Sequence, residues 1–242
     1  MAYPSWEERM ARSALLLSPE AMQRLRNAHV MLFGLGGVGS YAAEALGRAG
    51  IGRLTIVDAD TVSVSNINRQ LPALCSTVGC GKADVVRKRL LDINPDAQIQ
   101  AIAAFHLPDS PVAIPDGVDF VADAIDTISA KIDLAVTCSQ RGIPILSCMG
   151  MGNRLNPTCI RIGDLFETSG CPLCRVMRRE LRKRGVERLA CVYSTEPARA
   201  CAGEPRASGH PSPGSLPFVP SVAGLLMAYE ITRKLCEGLE EK

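Results

Sequence analysis

Short apolar runs alternate with amphipathic stretches along the first two thirds of the chain. Runs too short for helices predict strands at residues 29–33, 53–57, 98–103, 118–122 and 144–147. Apolar positions at helical spacing predict helices at residues 39–49, 83–93 and 129–140. Strands and helices that alternate in this way predict a doubly wound, mostly parallel sheet of the Rossmann-like α/β class. Such a sheet binds its ligand at the carboxyl ends of its strands.

We expect the segments on either side of a central core of residues 29–165 to form an N-terminal arm and a C-terminal extension. Residues 1–28 predict a helical arm, because Ser18-Pro19 supplies a good N-cap and a proline at the first helical position. Residues 166–242 predict a strand and helix extension of the same domain. Further strands are predicted at 158–162 and 190–194, and further helices at 171–184 and 219–236. Residues 196–217 are rich in proline, glycine and serine without periodicity, which predicts a flexible loop.

Composition narrows the class of protein. Apolar residues make up 47% of the chain, enough for a sizeable core, and aromatic residues make up 4%, so the core should be mostly aliphatic. A net charge of +2 argues neither for nor against nucleic acid. No apolar run reaches the roughly 18 residues of a membrane span. The polar start Met1–Arg12 does not resemble a signal peptide, so we expect a cytoplasmic protein without a membrane span.

Ten cysteines in a chain with no predicted export signal favour a compartment that keeps them reduced. The close pair is Cys171 and Cys174, in Cys-Pro-Leu-Cys. A structural zinc would need a second such pair, and Cys191 and Cys201 are too far apart in sequence to supply it. The pattern therefore favours incidental thiols over a metal site.

A glycine cluster follows the first predicted strand and opens the first helix. The turn contains Gly34, Gly36, Gly37 and Gly39. Glycine allows backbone angles that a Cβ forbids and lets a phosphate approach the chain closely, and the helix N-terminus then faces that phosphate. The next strand ends in Asp58, where a carboxylate can bind ribose hydroxyls. The turn lacks the Gly-Lys-Ser/Thr ending of a P-loop, and a glycine turn without any ligand is the competing interpretation.

Two cations in the polar segment after Asp58 favour a triphosphate over a dinucleotide. Arg69 stands beside Ser65, Asn66, Asn68 and Gln70 in Ser-Asn-Ile-Asn-Arg-Gln. Arg69 can bind phosphate oxygens in bidentate fashion, and Lys82 precedes a helix, where it can face an anion. Asp126 follows the 118–122 strand toward the same sheet edge. An acid that faces phosphates implies a cation, so we interpret Asp126 as a Mg²⁺ ligand and Asp123 as structural.

In this order and spacing, the glycine turn, Asp58-Ala-Asp60, Ser65–Gln70, Gly81-Lys82 and Asp123-Ala-Ile-Asp126 resemble the ThiF/MoeB-type adenylating superfamily. That superfamily includes the ubiquitin-activating enzymes. The resemblance implies that residues 29–165 are an ATP-binding adenylation core that uses ATP and Mg²⁺. The implied ATP-binding residues are Gly34, Gly36, Gly37, Gly39, Asp58, Ser65, Asn66, Asn68, Arg69, Gln70, Lys82, Asp126 and Thr127. The implied catalytic residues are Arg69, Lys82, Asp126 and Arg12, with Asp126 as the metal ligand. Arg12 would reach the partner's triphosphate across a homodimer interface.

The C-terminal part resembles one branch of that family, the tRNA threonylcarbamoyladenosine dehydratases (the TcdA or CsdL branch). The matching segments are 150–154, 164–165, 171–181, 192–196 and 214–224. Asn156-Pro157 replaces the branch's usual Asp-Pro, and Cys174 replaces its usual alanine. The branch implies ATP-dependent cyclisation of a threonylcarbamoyl group on tRNA, and cysteine-desulfurase or sulfur-acceptor proteins as further partners.

Three alternatives remain beside this interpretation. The chain could adenylate the C-terminus of a sulfur-carrier or ubiquitin-like protein, or act as a nucleotide-sensing scaffold without catalysis. An NAD-dependent oxidoreductase is disfavoured because no proton-relay histidine accompanies the fold.

A basic segment supports the tRNA branch. Between Arg175 and Arg188 there are seven Lys or Arg residues against two Glu. Such a charge run is often a solvated helix face, but a tRNA substrate needs phosphate contacts. The predicted tRNA-binding residues are Arg175, Arg178, Arg179, Arg182, Lys183 and Arg184. Because no aromatic residues interleave them, we expect backbone positioning rather than base stacking.

Overall fold

A mostly parallel sheet forms the centre of the protein. The computed structural model describes residues 3–169, 171–200 and 213–239. The described strands are β1 (His29–Phe33), β2 (Arg53–Val57), β3 (Gln98–Ile102), β4 (Phe120–Asp123), β5 (Ile145–Cys148), β6 (Ile160–Asp164) and β7 (Ala190–Ser194). Their order is β3-β2-β1-β4-β5-β7-β6, and neighbouring strands are parallel except for the antiparallel pair of β6 and β7. The predicted Rossmann-like α/β class is confirmed.

Helices cover both faces of this sheet. The described helices are α1 (Trp6–Met10), α2 (Pro19–Asn27), α3 (Gly39–Arg48), α4 (Lys82–Ile93), α5 (Ile128–Arg141), α6 (Pro172–Arg182) and α7 (Phe218–Leu235). In β1, Val30 and Leu32 pack against the core formed with α2, α3, α4 and α7. Met31 and Phe33 pack against α5 on the opposite face. A strand buried on both faces explains why β1 is a continuous apolar run rather than an alternating one.

The predicted boundaries differ from the structure by two residues at β4, at β6 and at the end of α6. Strand β6 is Ile160–Asp164 rather than 158–162, and α6 ends at Arg182 rather than at 184. Strand β4 begins at Phe120 rather than at residue 118. The Asp119 carboxylate, rather than a backbone carbonyl, accepts the N–H of His29 at 2.8 Å and also binds Arg24. In the predicted flexible loop, residues 196–200 and 213–217 form neither helix nor strand, and residues 201–212 lie outside the described residues. Residues 1, 2, 170 and 240–242 of the predicted arm and extension also lie outside them.

The extension contributes directly to the sheet. Strand β7 lies between β5 and β6, so a segment beyond residue 165 separates two strands that precede that boundary. The division of the chain at residues 28 and 165 stays a prediction. Among the described helices, none is both long enough and apolar enough to cross a membrane.

The turn between β1 and α3 requires glycine at two positions. Gly34 has a φ of +87°, a left-handed conformation that a side chain disfavours. A Cβ on Gly39 would lie 1.8 Å from the carbonyl oxygen of Gly34. Helix α7 packs closely on the same region, because a Cβ on Gly224 would lie 2.3 Å from the Val38 oxygen. The start of α3 is therefore fixed by backbone contacts that glycine alone permits.

A buried ion pair orients the loop after β4. Asp123 and Lys131 have fully buried side chains, and the Lys131 Nζ lies 2.8 Å from the Asp123 Oδ2. The Ser147 hydroxyl donates to the same Oδ2 at 2.7 Å, and Nζ also donates to the Cys148 carbonyl at 2.8 Å. A third Nζ contact reaches the Ile125 carbonyl at 3.3 Å. These bonds satisfy both charges and tie the loop that precedes α5 to β5.

We predict that Lys131→Met destabilises the protein strongly. The substitution leaves the Asp123 carboxylate buried without its cation, which should lower the free energy of unfolding by roughly 3–5 kcal/mol. Urea unfolding followed by circular dichroism measures the change. The control is Lys88→Met, because Lys88 is exposed on α4 and its loss should cost less than about 0.5 kcal/mol. Equal small costs for the two variants would contradict the argument.

Candidate active site

A cleft of about 510 Å³ lies at the carboxyl ends of β1, β2, β4 and β5. This is the sheet edge at which a doubly wound fold binds its ligand. Ten of the thirteen predicted ATP-binding residues line it: Gly34, Gly36, Gly37, Asp58, Asn66, Arg69, Gln70, Lys82, Asp126 and Thr127. The two cations and the distal acid of the predicted triphosphate site, at positions 69, 82 and 126, thus share one cavity.

The other three predicted residues, Gly39, Ser65 and Asn68, do not line the cleft. Gly39 closes the glycine turn against Gly34. Arg69 Nη1 donates to the Ser65 carbonyl at 2.8 Å and to Asn68 Oδ1 at 2.9 Å. Asn68 in turn donates to the Ser215 carbonyl at 2.9 Å. Ser65 and Asn68 therefore hold the guanidinium in place instead of facing the cleft.

Asp58 joins the end of β2 to the glycine turn. Its Oδ2 accepts the N–H of Leu35 at 2.6 Å, and its Oδ1 accepts the N–H of Asp60 at 2.8 Å. Burial raises the pKa of Asp58, while these two donors favour the ionised form. The carboxylate is thus oriented by backbone on both sides of the cleft and remains at its edge.

Lys82 faces the cleft from the first position of α4. Its side chain is 6% exposed, and its Nζ lies 2.8 Å from the Asp60 Oδ2. Asp60 itself is half exposed. The sequence interpretation assigned Asp60 no role, although the Asp-Ala-Asp motif contained it. In the structure Asp60 compensates the buried ammonium at a helix N-terminus, a place that already favours anions.

Gln70 carries an unsatisfied acceptor in the cleft. Gln70 is 8% exposed, and within the described part of the chain its Oε1 is buried without a hydrogen-bond partner. Asn66, which is 9% exposed, already accepts the N–H of Ser63 at 3.1 Å. Because buried polar atoms are normally paired, the free oxygen of Gln70 fits a ligand that donates a hydrogen bond.

Sequence reasoning missed the wall formed by residues 104–107. His106 is 5% exposed and lines the cleft. Its Nδ1 accepts the N–H of Val112 at 3.1 Å, so Nε2 carries the proton and donates to Asp133 at 2.9 Å. The ring also packs edge-on against Phe33, at 5.1 Å between centroids. No local motif indicated this role, because its partners come from a distant helix and strand.

The C-terminal part supplies the opposite wall. Residues 149–152, Leu173, Pro213, Ser215 and Pro220 line the cleft. The only signal in the sequence was that their segments carry the resemblance to the tRNA branch. The predicted extension therefore helps to shape the cavity that the core opens.

The basic residues predicted to bind tRNA lie outside the cleft lining. Arg178 is turned inward, where its Nη1 donates to the Thr168 carbonyl at 2.7 Å. Glu180 accepts hydrogen bonds from Arg184, Lys183 and Arg179, which lower its pKa to about 2. Two further cations, Arg175 and Arg182, are exposed at the surface. The guanidinium carbon of Arg182 lies 5.3 Å from the centre of the Phe166 ring. Arg12 is also exposed and outside the cleft of its own chain.

A parallel sheet with a glycine turn, a backbone-held carboxylate and two cations at one edge defines the nucleotide-binding α/β proteins. Within that class, the sequence profile of the ThiF family matches residues 10–242. The chain belongs to the ThiF family, and the resemblance inferred from its motifs is confirmed.

Relatives match the chain over nearly its whole length. A tRNA threonylcarbamoyladenosine dehydratase of Bacillus subtilis (strain 168) is 39% identical over 244 residues, covering 96% of each chain. The Escherichia coli tRNA N6-threonylcarbamoyladenosine dehydratase TcdA in complex with ATP has a TM-score of 0.85 at 32% identity, covering 98% of this chain and 97% of that one. The same protein in complex with AMP has a TM-score of 0.86 at 31% identity and the same coverage.

A relative from another branch matches less of the chain. The molybdopterin-synthase adenylyltransferase of Salmonella typhimurium (strain LT2) is 37% identical over 128 residues, which is 53% of this chain and 51% of that protein.

We predict that two glycine substitutions in one turn have opposite consequences. A Cβ on Gly36 would meet nothing nearer than Gln70 Nε2 at 3.8 Å. Gly36→Ala should therefore leave the melting temperature within about 2 °C and weaken ATP binding by roughly tenfold or more, because its methyl group occupies the cleft. Gly39→Ala places its methyl group on the Gly34 oxygen and should lower the unfolding free energy by roughly 1–3 kcal/mol.

Thermal melts and isothermal titration calorimetry with ATP separate the two effects. If Gly36→Ala binds ATP as tightly as the native chain, the glycine turn does not contact the nucleotide.

Proposed function

We propose that the chain is an ATP-dependent tRNA threonylcarbamoyladenosine dehydratase. The enzyme adenylates the carboxylate of threonylcarbamoyladenosine in tRNA and lets the group cyclise. The observation that carries this proposal is the convergence of Arg69, Lys82 and Asp126 on one cleft behind a glycine turn. A Bacillus subtilis relative with this activity matches 96% of the chain, including the C-terminal wall of the same cleft.

The cleft suits a nucleotide triphosphate. Asp58 is the acceptor for the ribose hydroxyls, because its position at the end of β2 leaves it at the cleft edge. The backbone at Gly36 and Gly37 can approach phosphates closely, since no Cβ intervenes. Arg69 and Lys82 supply positive charge there. Gln70 offers its unsatisfied oxygen to a donor on the ligand.

Asp126 is the residue that would hold Mg²⁺. The described residues contain no group of three or more His, Cys, Asp or Glu side chains that could bind a metal by themselves. Mg²⁺ usually binds one or two carboxylates together with substrate phosphates and water, so a single exposed aspartate at the cleft edge fits it. When bound, the ion neutralises phosphate charge.

The reaction needs no enzyme nucleophile. The substrate carboxylate attacks the α-phosphorus of ATP, which breaks the bond to pyrophosphate and forms an acyl adenylate. The neighbouring carbamoyl oxygen then attacks the acyl carbon, AMP leaves, and the ring closes after loss of a proton. This second attack is intramolecular and has a high effective molarity. Burial raises the pKa of Cys138 and of Cys148 to about 12, so neither thiol is a ready nucleophile.

Arg69 and Lys82 act on the phosphates during the first attack. Charge accumulates on the phosphoryl oxygens as pyrophosphate leaves, and preorganised cations stabilise it. Ser65 and Asn68 hold Arg69, and Asp60 holds Lys82, so both cations are oriented before ATP arrives.

The proposed assembly is a homodimer in the cytoplasm. Arg12 points away from its own cleft, beside Leu15 and Leu16, which are 66% and 81% exposed. An arginine next to exposed leucines suits an interface in which Arg12 reaches the partner's ATP. The free thiols of the described cysteines suit a reducing compartment. Cysteine-desulfurase or sulfur-acceptor proteins remain proposed partners on family resemblance alone.

We predict that pyrophosphate release depends on tRNA. ATP and Mg²⁺ are supplied with threonylcarbamoyladenosine-modified tRNA, with a carrier protein ending in Gly-Gly, or with neither. Arg69→Ala, Lys82→Met and Asp126→Ala should each lower kcat/KM by roughly 10²–10³, because each removes charge stabilisation in the transition state. Lys88→Met, an exposed position on the same helix as Lys82, should retain full activity.

The three arms decide between the alternatives. Release that requires the carrier protein would replace tRNA as the substrate. Release in no arm, with ATP binding retained, would instead favour a nucleotide-sensing scaffold.

We predict that the surface of α6 binds tRNA phosphates. Arg175→Glu/Arg182→Glu changes two cations that Glu180 does not bind, and should raise KM for tRNA while the Kd for ATP stays constant. The slope of log K against log salt for tRNA binding should fall by about 2, or about 1 per phosphate contact. Arg87→Glu/Lys88→Glu on α4 makes the same charge change at another surface. Equal losses in both double variants would indicate a general charge effect.

A further inference from the structure

The Cys-Pro-Leu-Cys motif begins helix α6, and the proposed function leaves it without a role. Cys171 is the residue immediately before the helix, and Cys174 lies one turn into it. Residues three apart at the start of a helix are neighbours on its surface, and both cysteines belong to one buried cluster. Cys171 is 3% exposed and Cys174 is fully buried. The geometry therefore places two thiols side by side at a helix N-terminus.

A buried arginine contacts this pair. Arg154 is 3% exposed, donates from Nε to the Glu196 carbonyl at 2.9 Å, and lies close enough to Cys171 for its positive charge to lower the pKa of that thiol. The neighbouring Cys174 and Arg154 favour the thiolate of Cys171 and so lower its pKa, while the Cys171 sulfur and burial raise the pKa of Cys174. A thiolate beside a thiol is the arrangement that reacts with oxidants.

We propose that Cys171 and Cys174 are a redox-active dithiol that hydrogen peroxide oxidises to an intramolecular disulfide, and that this disulfide reshapes one wall of the nucleotide cleft. The occupant of the site is a peroxide, small enough to reach a nearly buried sulfur. The inference concerns regulation and adds to the proposed catalytic activity.

The oxidation occurs in two balanced steps. The Cys171 thiolate attacks one peroxide oxygen, the O–O bond breaks, and the departing hydroxide takes a proton to become water. Cys171 is then a sulfenic acid. The Cys174 sulfur attacks it, the S–S bond forms, the S–O bond breaks, and the proton of Cys174 leaves with the hydroxide as a second water. Two thiols and one peroxide thus become one disulfide and two waters.

The pair is connected to the cleft at two points. Leu173, between the two cysteines, lines the cleft and lies 3.8 Å from the position of a Cβ on Gly150. Arg154 closely follows residues 149–152, which line the same wall. An S–S bond of about 2.05 Å draws the two sulfurs into covalent contact and removes the thiolate charge from beside Arg154. The arginine is then buried beside a neutral disulfide, a state that favours movement of this wall.

Neighbouring cysteines differ in their reactivity. Cys191 and Cys148 lie close by, and burial raises the pKa of each to about 12, so both stay protonated. Cys75 and Cys80 are exposed and would react independently. The test therefore uses the chain with serine at positions 75, 80 and 201, the last lying outside the described residues.

The first experiment detects the disulfide and does not depend on ATP. The protein is treated with hydrogen peroxide and then digested for mass spectrometry, with dimedone present to trap sulfenic acid. We expect a 171–174 disulfide, reversed by dithiothreitol, and a dimedone adduct on Cys171 in the Cys174→Ala variant. Oxidation that joins other cysteines, or none, would overturn the proposal.

The second experiment measures the effect on the cleft, and it rests on ATP binding there. Calorimetry with ATP should show a Kd about fivefold or more higher in the oxidised protein, within the usual range of coupling between sites, and full recovery on reduction. The Cys171→Ser/Cys174→Ala variant should bind ATP equally before and after peroxide. An oxidised chain with an unchanged Kd would remove the regulatory role, whereas a reduced chain that binds no ATP would count against the proposed function itself.

Discussion

The structure depends on two close backbone contacts at the start of α3, one with the end of β1 and one with α7. The Gly34 carbonyl lies where a side chain at position 39 would be, and the Val38 carbonyl lies where one at position 224 would be. These contacts bring the end of β1, the N-terminus of α3 and the middle of α7 together without intervening side chains. Asp58 accepts the N–H of Leu35 from this turn and so fixes the end of β2 against it. A nucleotide site of this kind is mainly a property of backbone geometry.

The ion pairs around the cleft differ in how deeply they are buried. Asp123 and Lys131 are fully buried and connect the loop after β4 to β5, so they set the position of the segment that carries Asp126. Lys82 is nearly buried, but its partner Asp60 is half exposed, so this ammonium remains available to a ligand in the cleft. The buried pair of Asp123 and Lys131 thus fixes the loop beside the cleft, whereas the partly exposed pair of Asp60 and Lys82 holds an ammonium at the cleft. The same distinction applies to α6, where Arg178 binds inward and Arg175 faces outward.

The C-terminal part completes the cleft at the sheet edge. Strand β7 enters the sheet between β5 and β6, and residues near 150, 173 and 215 complete the cavity. The adenylyltransferase of another branch matches about half of this chain, whereas the dehydratase of Bacillus subtilis matches almost all of it. The extension beyond residue 165 thus supplies α6 and part of this wall, which the predicted core of residues 29–165 does not form by itself.

The sequence by itself determined the sheet class, most element boundaries and the residues proposed to bind a triphosphate. Apolar runs of strand length predict buried strands from neighbouring residues alone. A glycine turn followed by a strand ending in Asp58 likewise predicts a nucleotide site from a single stretch of a few dozen residues. Tertiary structure decided how distant side chains meet. His106 acquires its tautomer from Val112 and Asp133, Lys131 its partner from the preceding strand, and Cys171 its arginine from the loop after β5. These contacts depend on which segments pack together, and no local pattern of residues records that.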